Sequence, residues 1–233
     1  MPRETLDEGI KALQEDLLKM AGLVDEAIGL AAKSLVERDE ALARRVIACD
    51  EEINKAQREI DERCLVLIAT QQPLASDLRV ILAISGIATE LERMADHAKG
   101  IAQLTIRLAP QPHLKPLIDI PRMAEKGRSL LREQLEAFLA HDAERARALA
   151  KEDDEMDALY DQIYRELLIF MMDDPRTITR ATHLIWVAHD LERIGDRTTN
   201  IGERVVFMVT GKVEELNPPP EMEAPPEMEA RHG

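Results

Sequence analysis

Glu90, Glu92 and Asp96 stand in the run Glu90-Leu91-Glu92-Arg93-Met94-Ala95-Asp96, and the same acidic pattern returns one hundred positions later as Asp190-Leu191-Glu192-Arg193-Ile194-Gly195-Asp196. Residues four apart share a face of a helix, so Glu92 and Asp96, like Glu192 and Asp196, can aim their oxygens at a common point. Like charges held so close call for a counterion, either an arginine or a metal cation. Another polar pair accompanies each run, Asp50 with Asn54 and Asp153 with Asp157, again one turn apart. If the helices that carry these pairs lie antiparallel, an oxygen-rich site forms between them. Oxygen ligands favour Mg²⁺, Mn²⁺, Ca²⁺ or iron over a structural zinc.

On a helical wheel started at Asp190, Glu192, Asp196, Thr199 and Glu203 follow turn after turn, with Asn200 beside them and Leu191, Ile194 and Ile201 opposite. The acids are therefore expected to point away from the apolar stripe. His97 and His189 could add a nitrogen ligand on each side, although solvated surface histidines are the plainer expectation. A plain ion-pair network competes with metal binding. Glu90 with Arg93 and Asp190 with Arg193 are three residues apart, a spacing worth a few tenths of a kcal/mol per pair on an exposed helix. The near-verbatim repetition tips the balance toward the metal.

The elements that must hold these residues are helices. Val80, Ile81, Ile84, Ile87, Leu91, Met94, Ala98 and Ile101 recur at three- and four-residue spacing, as an amphipathic helix requires. The duplication runs beyond the acids. Met20-Ala21 recurs at Met123-Ala124, Asp39 at Asp142, and the segment starting at Asp50 at Asp153. A period near one hundred residues describes one small domain copied and fused, with Pro110-Gln111-Pro112 as the joint. Helices are expected at about 5–37, 40–70, 74–109, 114–140, 143–172 and 176–210, with Asp39 and Asp142 as N-caps and Pro73 and Pro175 in first turns. The fold is then all-α, with a three-helix bundle in residues 1–109, its pseudo-symmetric copy in 110–213, and an acidic, Pro-rich tail in 214–233 that is expected to be disordered. The single Trp186 is expected to fill a bundle core or an interface.

Composition narrows the function. A formal charge of −15 argues against nucleic acid, since no basic stripe exists to neutralise phosphates. No apolar run is long enough to cross a bilayer and the N-terminus lacks a signal core, so a cytoplasmic protein is expected. Cys49 and Cys64 lie along one helix and cannot bridge each other. A diiron carboxylate enzyme needs Glu-x-x-His pairs projecting into a bundle core, and of the six histidines only His232, after Glu229 in the Pro-rich tail, has that spacing. With no phosphate loop, nucleophile elbow or HExxH either, the chain is read as a non-enzyme.

These residues together resemble the PhoU family of accessory regulators of bacterial phosphate uptake. The likeness rests on Asp50 with Asn54, Asp153 with Asp157, Gln72-Pro73-Leu74-Ala75-Ser76-Asp77-Leu78-Arg79, the two Leu-Glu-Arg runs and the ending Asn200-Ile201. It spans about residues 5–211. The resemblance implies paired three-helix bundles, often dimeric, with metal ions or multinuclear iron or zinc clusters on the acidic motifs. The implied ligands are Asp50, Asn54, Glu90, Glu92, Asp96, Asp153, Asp157, Asp190, Glu192, Asp196 and Asn200. Divalent Mg, Mn, Fe or Zn are the candidate ions. It further implies a negative regulator that links the ATPase subunit of the phosphate ABC transporter to the phosphate-sensing histidine kinase, reaching the membrane through those partners. A metal-binding helical scaffold, or an accessory protein of another phosphate carrier, is the alternative. Asn54, Met94-Ala95 and Gly100 depart from the family pattern, so the first site is expected to hold its ion more weakly than the second.

Overall fold

Residues 2–217 are described by the computed structural model, and among them every regular element is helical. The chain runs α1 (Pro2–Glu37), α2 (Glu40–Gln71), α3 (Ser76–Leu108), α4 (Asp119–Ala140), α5 (Ala143–Ala150), α6 (Asp154–Asp173) and α7 (Ile178–Thr210). Helices α1, α2 and α3 pack on one another as the first bundle. In the second, α4 and α7 pack with α5 and α6, which together replace one long helix. The bundles meet where α3 lies against α7 and α1 against α4, so equivalent helices face each other as a pseudo-twofold requires.

The apolar stripe read from the sequence is buried throughout, from Val80 to Ile101 in α3 and at Leu191, Ile194 and Ile201 in α7. Each large aliphatic side chain taken from water there contributes on the order of 1.5–3 kcal/mol. Both expected N-caps form, Asp39 accepting from the Leu42 N–H and Asp142 from the Arg145 N–H. Asp39→Ala should cost about 1 kcal/mol, read as a fall in the urea midpoint with unchanged slope. A fall in slope instead would point to a changed unfolded state.

Five expectations need correction. The helix expected from residue 114 begins at Asp119, because Pro116 removes a donor and disfavours helix before it. Pro73 precedes α3, which starts only at Ser76 after Ala75 turns the chain at a φ of 43°. The helix expected over 143–172 is broken by a 3₁₀ turn at Lys151–Asp153, where four acids in a row, Glu152 to Glu155, repel one another and include two aspartates of low helix propensity. Trp186 is 48% exposed, so it fills no bundle core and leaves the interface half of that expectation open; its ring lies tilted against His183 at 5.5 Å, away from the buried Leu184, Val187 and Ala188 side of α7. The segment expected to leave the bundle after about residue 213 stays on it through Asn217. Glu214 accepts twice from Arg147 at 2.9 Å, and the Leu216 N–H donates to Glu203 at 3.0 Å. Most of the expected tail, residues 218–233, lies outside the described residues.

Candidate metal centre

The structure divides the predicted acids between two places. Glu92 and Asp96 of α3 face Asp50 of α2, to which Asn54 is bonded, and Glu192 and Asp196 of α7 face Asp153 of the 3₁₀ turn and Asp157 of α6. Glu90 and Asp190 face the other way, into the seam between the bundles. A helix turns about 100° per residue, so positions two apart stand almost opposite.

At the second face the carboxylates feel one another strongly. Asp153, 1% exposed, has its pKa pushed up to about 7, first by burial and then by Asp196 and Asp157. Glu192 is likewise raised to about 7 by burial and then Asp196, and Asp157 is raised by the same two causes. Oδ1 of Asp153 is buried without a hydrogen-bond partner, while its Oδ2 accepts from Thr199 Oγ1 and Asn217 Nδ2, each at 3.4 Å. Gly195 makes this approach possible, since a Cβ there would stand 2.5 Å from Asp153 Oδ1. The only ion pairs among the described residues here run along α7 itself, Arg193 to Asp196 at 2.7 Å and His189 to Glu192 at 3.3 Å. Beside the face lies a cleft of about 480 Å³ between α7 and the strap of residues 213–217.

The first face is built from the equivalent positions but is wired differently. Asp50, 6% exposed, accepts from Lys99 Nζ at 2.6 Å and from Asn54 Nδ2 at 3.2 Å, both on Oδ2. Lys99 also reaches Asp96 at 3.7 Å. Burial and then Asp96 and Asp50 raise the pKa of Glu92. Among the described residues no group of three or more His, Cys, Asp or Glu side chains is already gathered as a metal centre. An ion would therefore have to draw these carboxylates together by rotation of their side chains. Both faces hold a buried aspartate oxygen without a hydrogen-bond partner, Oδ1 of Asp50 and Oδ1 of Asp153, and the second face fits that demand best because it sets three more carboxylates in electrostatic reach of Asp153 with no lysine among them.

Glu90, Asp190 and Asn200 serve the seam. Glu90, 3% exposed, accepts from Asn200 Nδ2 at 3.1 Å and pairs with Arg197 at 3.4 Å and Arg93 at 3.3 Å. Asp190 meets His97 Nδ1 at 3.0 Å, the pseudo-symmetric counterpart of Glu90 meeting Arg197. Two expectations change as a result. The acids do not all point outward, because Glu90 is a buried partner of α7, and His97 is no solvated surface residue. Gly100 is also more than a lost ligand, since a Cβ there would stand 2.8 Å from Asp190 Oδ2. Lys99, Asn217 and the Glu214–Arg147 pair were missed from the sequence. The spacing of Lys99, three residues after Asp96, was the one available signal. Cys49 is half-buried and Cys64 buried, both free, and burial pushes the Cys64 thiol up to about 12, which leaves it unreactive.

Two three-helix bundles joined on a pseudo-twofold, each setting acids of its third helix against acids of its second, define a class of duplicated all-helical protein. The PhoU domain model matches the chain twice, over residues 17–105 and 120–205, and the chain belongs to that family. A phosphate-specific transport system accessory protein PhoU homolog of Rhizobium meliloti is 39% identical over 216 residues, covering 92% of this chain and 91% of the relative. The crystal structure of PhoU from Pseudomonas aeruginosa superposes with a TM-score of 0.84 at 36% identity, covering 88% of this chain and 99% of that one. The phosphate transport system regulatory protein PhoU from Streptococcus pneumoniae gives 0.83 at 31% identity, covering 90% and 99%.

Proposed function

We propose that the chain is a regulator of phosphate uptake that holds a divalent cation on its acidic faces and acts as a negative regulator of the phosphate regulon. The supporting observation is membership of the PhoU family over both halves, with relatives named as accessory proteins of phosphate-specific transport. Its partners are the ATPase subunit of the phosphate ABC transporter and the phosphate-sensing histidine kinase, and it works in the cytoplasm as a homodimer without catalysing a reaction. Contact with the bilayer in this reading runs through those partners, and no helix among the described residues is long and apolar enough to cross a membrane.

The chemistry supplied by the cation is neutralisation. Asp153, Asp157, Glu192 and Asp196 would hold it at the second face, replacing mutual repulsion by a shared positive charge and changing the surface offered to a partner. A ligand that altered neither charge nor shape could not bias one docking state over another. In a strain with a phosphate-regulated reporter, deleting the gene should raise output in high phosphate to that of starved cells. The wild-type gene restores repression and the Asp153→Asn, Asp157→Asn double variant does not. An unchanged reporter after deletion contradicts the regulatory reading, and full repression by the double variant contradicts the role of the acidic face.

A further inference from the structure

The first acidic face contains a positive charge of its own. Lys99 sits on α3 one turn beyond Asp96 and places its ammonium 2.6 Å from Asp50 of α2 and 3.7 Å from Asp96. It thus stands between the two helices, where a shared cation would have to stand. The Asp50 side chain is 8% exposed and that of Lys99 31%, so the contact is sheltered on the aspartate side and reaches water on the lysine side. An ammonium with three donors on a flexible stem satisfies carboxylates as a point charge, much as a metal ion does. The position one hundred residues on holds Thr199, a neutral hydroxyl that donates weakly to Asp153 at 3.4 Å. Asn54 is similarly neutral where the second half has Asp157, and it donates its amide to Asp50. Ala95 occupies the place of Gly195, so its methyl stands where the second half lets Asp153 lie against α7. The first face therefore has three carboxylates around an internal cation. The second has four, and its one arginine, Arg193, pairs along its own helix with Asp196 alone, leaving Asp153 and Asp157 without a basic partner among the described residues.

We propose that Lys99 is a resident cation that closes the first face, so that divalent metal is taken up at the second face alone. This rests on the metal-binding reading above and specifies which half performs it. The two faces are then functionally unlike, one a permanent internal ion pair and the other responsive to metal.

The test is equilibrium dialysis of the full chain, stripped with chelator, against Mn²⁺, with bound metal measured by elemental analysis and folding checked by circular dichroism. Wild-type chain should bind Mn²⁺ saturably, Asp153→Asn should lose that uptake, and Asp50→Asn should leave it unchanged. Lys99→Thr should raise the bound metal above the wild-type amount by opening the first face, and by less than twofold at subsaturating Mn²⁺ because Asn54 leaves that face with three carboxylates against four. Lys99→Gln should do the same if the threonine variant folds poorly, while Lys99→Arg keeps the wild-type amount. Loss of half the uptake in Asp50→Asn, or no gain in a folded Lys99→Thr or Lys99→Gln chain, would overturn the proposal while metal binding itself survived. Absence of uptake in every chain, Lys99→Thr included, would overturn the metal-binding reading and the proposal with it.

Discussion

Glu90→Ala should lower the stability of the chain by about 3 kcal/mol, the usual scale of breaking a buried charged contact by removing one partner. Glu90 is 3% exposed, and it alone accepts from Asn200 and pairs with Arg197 across the seam. Its loss leaves a guanidinium that is only 15% exposed without its cross-seam carboxylate, beside an orphaned amide. For a chain of this length the thermal midpoint falls by several degrees, since each kcal/mol shifts it by roughly 2–4 °C. Glu90→Gln keeps an acceptor for Asn200 and should lose less. Asp190→Ala should also lose less, because Asp190 and His97 are both partly exposed and share a weaker contact. Differential scanning calorimetry of the three variants checks this order. Equal, small losses would mean that the seam is held by apolar packing alone.

In chelator, the chain should be more stable at pH 5.5 than at pH 8, and Asp153→Asn should remove much of that difference. The folded state raises the pKa of Asp153 from 3.8 to about 7, so folding favours its protonated form. A raised folded value means that the stability is fully present below the unfolded value and is lost as pH climbs through the folded one. Glu192, raised from 4.5 to about 7, adds in the same direction. One pKa unit corresponds to about 1.4 kcal/mol, so the burial of Asp153 costs a few kcal/mol at pH 8. Asn, with no charge to bury, should therefore stabilise the chain at both pH values and by more at pH 8, because pH 5.5 already lies above the unfolded value of 3.8 and part of the cost is present there. Urea titrations at the two pH values measure this, and a variant less stable than wild type at pH 8 would contradict the electrostatic origin of the shift.

The legible part of the fold was the part carried by periodicity and by local hydrogen bonding. Asp39 and Asp142 cap where they should because a cap is a contact within one turn. The Val80 to Ile101 stripe is buried because its spacing admits only one apolar face. Less legible was which neighbour each helix face would meet. Helix α3 has α2 on one side and α7 on the other, so the two-residue step from Glu90 to Glu92 sends one acid into the seam and the other to α2. A repeat motif hides that division, since both acids recur together in α7. Lys99 is not legible in the sequence, because a single lysine on a polar face has the same appearance as a solvating charge until Asp50 is brought beside it from another helix. The strap through Asn217 was masked by its composition, which matches the acidic sequence that follows. Glu214 and Leu216 are fixed by Arg147 and Glu203, partners from distant parts of the chain.

Mn²⁺ added to chelator-stripped chain at about pH 8 should raise the thermal midpoint, because a bound cation removes the cost of four charged carboxylates held together and a ligand that binds only the folded state stabilises it by mass action. The rise should be saturable, and it should be absent in the Asp153→Asn, Asp157→Asn double variant. A midpoint that does not move with Mn²⁺, or that moves equally in the double variant, would contradict the assignment of the second acidic face as the cation site.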